Sequence, residues 1–273
     1  MTDVELKCDI LIFVTTRTER AQLESVANEF EISFEEKQTA ELGSYFKLGK
    51  IGLNRVCAVQ TNMGSFFHKA SAHKAIELMR FSGATSIIQV GMAFGIDSKV
   101  QNYGDVLISR WIFPYDYRIV EENSQTSSES DSRHRYLSNY KDTRRFQSKD
   151  SLLKIFELEK KKSHDFKIHF GGMLSGGARM RSQTFLRELL VSVTNSEGPG
   201  GYVGGEMEGV GLLAVSDKAN PVWIVVKGIS DFADQNQAVE VKQHRELACR
   251  NLIRLVFLAL LGNNVSNSKV GAN

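Results

Sequence analysis

The stretch Gly204–Asp234, GGEMEGVGLLAVSDKANPVWIVVKGISDFAD, places acidic residues at both ends of an apolar run. Glu206 and Glu208 precede the run; Asp231 and Asp234 close it. MEGVGLLAVSDKA is apolar nearly all round and reads as a buried helix. PVWIVV reads as a buried strand, with Pro221 tolerated at its start. A carboxylate just past such a strand lies where open α/β sheets bind ligands, beyond the carboxyl ends of their strands.

The rest of the chain repeats this grammar. CDILIFV (8–14) is a second buried strand, and ERAQLESVANEF after it has helical spacing, with Thr18 as the expected N-cap. Residues 44–60 read as a hairpin turning at Gly49-Lys50. HKASAHKAIELMRFSG predicts a helix ending at Gly83, TSIIQVG a buried strand with the loop MAFGID behind it, and GDVLISRWIF another strand. SLLKIFELEKKK (151–162) reads as a helix and FKIHFGGMLS (166–175) as a strand, followed by a loop and the helix in GGARMRSQTFLRELL. The final helix is expected over about 239–261. Strands alternating with helices predict an α/β fold, a three-layer sandwich around a mixed, mostly parallel central sheet.

One domain over 1–262 accounts for the length of 273 residues. Residues 121–150 are polar, Ser-rich and almost free of aliphatics, and predict a mobile insertion; 263–273 read as a disordered tail. A net charge of +2 is too mild to point to nucleic acid or a membrane surface. The three scattered cysteines predict buried thiols in a reducing cytoplasm. The histidines show no metal-ligand spacing, so neither metal nor cofactor is expected. No GxGxxG, Walker or GxSxG motif occurs, which argues against dinucleotide, NTP-motif and serine-hydrolase chemistry.

Four loops at predicted strand ends converge on one site: TTRTER, GMAFGI, SGGARMR and GISDFAD. Asp231, at a semi-dry strand end, reads either as a general acid or as a helix cap. Glu206 and Glu208 must split roles, one structural and one functional. Glu19 reads as functional or as an exposed first-turn residue.

GGEMEGVGLLAV with VVKGISDFAD resembles the purine nucleoside phosphorylase and methylthioadenosine/S-adenosylhomocysteine nucleosidase superfamily. DILIFVTTRTERAQL, IIQVGMAFGID, YGDVLIS and GGMLSGGARMRSQTFLRELL extend the resemblance over about 8–118 and 166–260. KGISDFAD also resembles nucleosidase domains that act as effectors in bacterial antiviral systems and some fungal immune receptors. The resemblance implies hydrolysis of the N-glycosidic bond of a purine nucleoside or nucleotide, adenine above others. Phosphorolysis is the enzymatic alternative and a silent nucleotide sensor the non-enzymatic one. By the same resemblance Asp231 is the acid at purine N7, beside Ser230, and Glu19 orients the attacking water. Glu208 holds the ribose hydroxyls, Met207 packs under the sugar, and Glu206 lies beside them. Arg179 and Met180 face the base, and Ala93, Phe94 and Gly95 form the adjoining loop. Met92 and Phe94 are bulkier than is usual in that loop. Arg17, Arg20 and Lys227, with Arg179 and Arg181 in the base loop, add positive charge that reads as ordinary surface charge or as a match for a 5′-phosphate, and a cytoplasmic homo-oligomer is expected.

Overall fold

The computed structural model describes residues 6–39, 43–122, 136–140, 143–194, 198, 200–217 and 220–267, and builds them around one large sheet. β1 (Ile10–Val14) lies at the centre, parallel to β4 (Asn54–Gln60) on one side and to β5 (Ser86–Gly95) on the other. β5 is parallel to β12 (Trp223–Asp231), which runs antiparallel to β6 (Val106–Pro114). β6 is parallel to β10 (Ile168–Ser175), and β10 to β11 (Tyr202–Glu206). The outer strands β3 (Gly43–Ile51) and β2 (Glu35–Thr39) continue beyond β4 in antiparallel order. The sheet is thus mixed, with its parallel ladders at the centre.

Alternation along β1 sorts its side chains between two cores. Ile10, Ile12 and Val14 face α1 (Arg17–Glu29), α3 (Asp150–Glu159) and α5 (Gln237–Asn267). Leu11 and Phe13 face the opposite layer, which includes Ala75 and Leu78 of α2 (Ser71–Ser82). A third cluster packs α4 (Gln183–Ser192) over Trp111, Phe113 and Tyr202. Helices therefore cover both faces, as the apolar strands require.

One contact was not legible in the sequence. β11 pairs β10 and also, through Gly204 and Gly205, the end of β5 in antiparallel register. A Cβ at Gly205 would lie 2.2 Å from the Phe94 ring, so only glycine lets the two strands cross there. The crossing closes β5, β12, β6, β10 and β11 into a ring. It brings the ends of oppositely directed strands to one cavity.

Several expectations need correction. The α1 N-cap is Thr16, not Thr18: its hydroxyl accepts from Glu19 N while Glu19 bonds back to Thr16 N, a capping box. The hairpin turns at Gly52-Leu53; Gly49, at φ +77°, occupies a bulge instead. The loop expected at MAFG is the last part of β5. The expected helix in MEGVGLLAV is a 3₁₀ segment, Gly209–Val215, weakened as an α-helix by Gly209 and Gly211. The polar insertion carries a two-stranded ladder, β7 (Ile119–Glu122) with β8 (Tyr136–Asn139), and β9 (Phe146–Gln147) adds to β6. Residues 123–135 lie outside the described residues. α5 continues to Asn267, past the start of the expected tail, and 268–273 lie outside the described residues.

Candidate active site

A cavity of about 370 Å³ opens where these strand ends meet. Its wall takes Thr15, Thr16 and Glu19 from the β1–α1 turn and Met92, Ala93 and Phe94 from β5. It takes Ala178–Arg181 from the loop after β10, Gly205 and Glu206 from the end of β11, Met207 and Glu208 from the turn after it, and Ser230 and Asp231 from β12. Ten of the residues singled out from sequence meet here: Glu19, Ala93, Phe94, Arg179, Met180, Glu206, Met207, Glu208, Ser230 and Asp231. Gly95 is adjacent in β5 but does not line the cavity.

Asp231 is buried, with 5% of its surface exposed, and no cation pairs with it among the described residues. Its Oδ1 accepts from Ala233 N at 3.0 Å, and its Oδ2 lies 3.0 Å from Ser230 Oγ. Burial pushes its carboxyl up to about 6, against the pull of those two hydrogen bonds; the nearby charges of Glu240 and Asp234 push the same way. A slip in the β12–β5 register between Ile229 and Asp231 frees the side chain from the ladder. Glu240 is tied into this corner, accepting from Phe232 N at 3.2 Å and from Tyr103 Oη at 2.7 Å.

The acidic pair at the end of β11 and in the turn after it, Glu206 and Glu208, is built differently. Glu206 accepts from Glu208 N and Gly209 N at 2.9 Å, and Lys227 Nζ lies 3.3 Å away. Its carboxylate is consumed in holding the turn. Glu208 accepts from Lys227 Nζ at 2.7 Å and from Gly64 N at 3.2 Å. The split of roles follows: Glu206 shapes the turn that presents Glu208 to the cavity. Burial pushes the Lys227 ammonium down, but Glu208, Glu206 and Glu19 around it outweigh that and hold it above its ordinary value.

Glu19 is buried, not exposed as a first-turn residue would be. It accepts from Thr15 N at 2.6 Å, Thr16 N at 2.9 Å and Met92 N at 3.3 Å. Burial raises its affinity for a proton, and Lys227 partly offsets this. A Cβ on Gly91 would come within 2.8 Å of Glu19 Oε1 and 3.1 Å of Lys227 Nζ, so glycine there admits the cluster.

The phosphate expectation for Arg17, Arg20 and Lys227 is corrected by their placement. None lines the cavity. Lys227 is a buried counter-ion, and Arg20 turns outward to Glu36 and the Phe46 ring. Bulk at Phe94 is absorbed by Gly205. Sequence reading passed over Met63, Gln237 and Arg245, which also line the wall. Met63 lies within a glycine-containing loop, TNMGSFF (61–67), and Arg245 lies on an exposed helix face, so neither carried a local signal. Among the described residues, no group of three or more His, Cys, Asp or Glu is placed to hold a metal, and no helix is long and apolar enough to cross a membrane.

The chain belongs to the phosphorylase superfamily, whose family model matches residues 9–261. A curated relative, the death domain-containing ATP nucleosidase of Amphimedon queenslandica, is 26% identical over 222 residues, 74% of this chain. The chain spans only 39% of that relative's length. Among solved structures, the S-adenosylhomocysteine nucleosidase of Streptococcus pyogenes, in complex with 5-methylthiotubericidin, superposes with a TM-score of 0.71 at 18% identity, covering 95% of this chain and 98% of that one. The 5′-methylthioadenosine/S-adenosylhomocysteine nucleosidase of Colwellia psychrerythraea, in complex with adenine, gives 0.68 at 19% identity over 94% and 95%. These two likenesses are of fold.

Proposed function

We propose that the chain hydrolyses the N-glycosidic bond of a purine nucleoside or nucleotide and releases the free base, adenine above others. One observation carries this reading: three buried carboxylates, Glu19, Glu208 and Asp231, come from three strand ends to one cavity, and only Asp231 lacks a cation near it. An N-glycoside breaks with positive charge growing on the sugar and negative charge on the base. Asp231 delivers its proton to N7 as the C1′–N9 bond gives its electron pair to the base; such an acid contributes about 10²–10⁴-fold. Glu208 accepts from the ribose hydroxyls, and the excess of carboxylates over Lys227 favours the cationic sugar. Glu19 holds the water that attacks C1′ and takes its proton.

Similar proteins support the choice of base: the Amphimedon queenslandica relative is an ATP nucleosidase, and one structural neighbour holds adenine. Glu19 favours hydrolysis over phosphorolysis, because a buried carboxylate on the attacking side repels inorganic phosphate. Release of adenine from nucleotides would drain the pool, which suits a defence effector acting in the cytoplasm as a homo-oligomer. The test is chromatography of reactions with adenosine, methylthioadenosine, AMP and ATP, with and without phosphate. Free adenine in phosphate-free buffer is expected; strict dependence on phosphate would turn the assignment to a phosphorylase, and binding with no base released from any substrate would leave a sensor.

A further inference from the structure

The charged side chains of the cavity wall sort by depth. Every buried one is a carboxylate: Glu19, Glu206, Glu208 and Asp231. Every exposed one is an arginine: Arg179, Arg181 and Arg245. The arginines come from two elements, Arg179 and Arg181 from the loop after β10 and Arg245 from the third turn of α5. None of the three forms an ion pair with a carboxylate among the described residues. Arg179 Nη2 rests 3.3 Å from the Met63 sulfur, and Arg181 Nε donates to the neutral Gln237 Oε1 at 3.0 Å. Elsewhere Arg55, Arg110, Arg250 and Arg254 all have carboxylate partners. The buried carboxylates do not need the rim for neutralisation, since Glu206 and Glu208 already share Lys227.

We propose that Arg179, Arg181 and Arg245 form a subsite for the 5′-phosphate chain of a nucleotide substrate, so that the site selects nucleoside polyphosphates over neutral nucleosides. This rests on the purine N-glycosidase reading of the same cavity. With the base at Asp231 and the hydroxyls at Glu208, the 5′ substituent is the part of the ligand left to meet the rim. A guanidinium free of a carboxylate offers paired N–H donors that match phosphate oxygens. The N-terminus of α5, whose Gln237 and Ala238 also line the cavity, adds its partial positive charge. Glu240 in that first turn is directed away, to Phe232 N and Tyr103 Oη. A thioether tail would gain nothing from three uncompensated cations, whereas a triphosphate would meet all of them.

Equilibrium dialysis with 7-deazaadenosine and its 5′-triphosphate, in which carbon replaces N7, separates binding from turnover. It is run on the wild-type chain and on the Arg181→Gln/Arg245→Gln double variant, whose folding is checked by its melting temperature. The wild type is expected to bind the triphosphate at least about tenfold more tightly than the nucleoside, and the double variant to lose about tenfold or more of that preference. Equal affinity for the two ligands in the wild type, or an unchanged ratio in the variant, would overturn the subsite. Failure of the wild type to release base from any nucleotide, with the triphosphate preference intact, would instead remove the glycosidase reading and leave the subsite standing.

Discussion

Asp231 and Glu208 face one cavity, yet their surroundings are opposite. Asp231 has two neutral hydrogen-bond donors, no cation and two acidic neighbours, so it retains a proton up to about 6. Glu208 has the ammonium of Lys227 at 2.7 Å and the backbone N–H of Gly64 at 3.2 Å, so it meets the cavity as one half of a buried ion pair. The lesson is that residue type does not assign a role. In the proposed reaction two carboxylates take different parts, proton donor and hydroxyl acceptor, because their neighbours differ.

The largest expected effect breaks the donor. Asp231→Asn keeps the shape and removes the proton, so base release should fall by about 10²–10⁴-fold while ligand binding survives. The same change should raise the melting temperature at pH 8 by a few degrees and not at pH 4. The sign follows from the raised folded value: Asp231 costs nothing while neutral, and its contribution to stability is lost as pH rises through about 6. Next, Lys227→Met removes the counter-ion and leaves two buried carboxylates facing each other. A loss of roughly 3–5 kcal/mol is expected, read as a drop in melting temperature of about 10 °C. Glu206→Gln should act more mildly, costing about 1–3 kcal/mol and raising KM more than it lowers kcat, because the turn that presents Glu208 loosens. The smallest effect sharpens the donor's environment. Glu240→Gln removes one of the charges that raise Asp231, so the alkaline limb of the kcat/KM profile, expected near 6 in the wild type, should move down by less than about one unit.

The contrast also explains what sequence could carry. Asp231 and Glu19 were visible because each lies just past a strand whose apolar run is local, and strand ends are where a ligand goes; Glu208 stood out as one of two acids ahead of an apolar run. The pairing that separates their roles was not visible. Lys227 was read as a charge for a phosphate, yet it is buried in β12 and its partners Glu206 and Glu208 lie at the end of β11 and just past it. Spacing along a chain does not report an ion pair between strands. The ring closure by Gly204 and Gly205 was hidden for the same reason, since the side chain that requires glycine is Phe94, more than a hundred positions away. Arg245 lay beyond reach too: a polar residue on an exposed helix face looks like solvated surface until the helix is docked against the cavity. The two β-elements in the polar insertion escaped because their residues lack the alternating apolar pattern that marks a half-buried strand.

The most direct test of the account asks whether Asp231 serves only to protonate the departing base. Turnover of adenosine or ATP is compared with that of 4-nitrophenyl β-ribofuranoside, whose leaving group departs without a proton. Asp231→Asn should lose about 10²–10⁴-fold on the adenine substrate yet stay within about tenfold of the wild type on the nitrophenyl riboside. An equal loss on both substrates would contradict a proton-donating Asp231, and with it the division of labour between the two carboxylates.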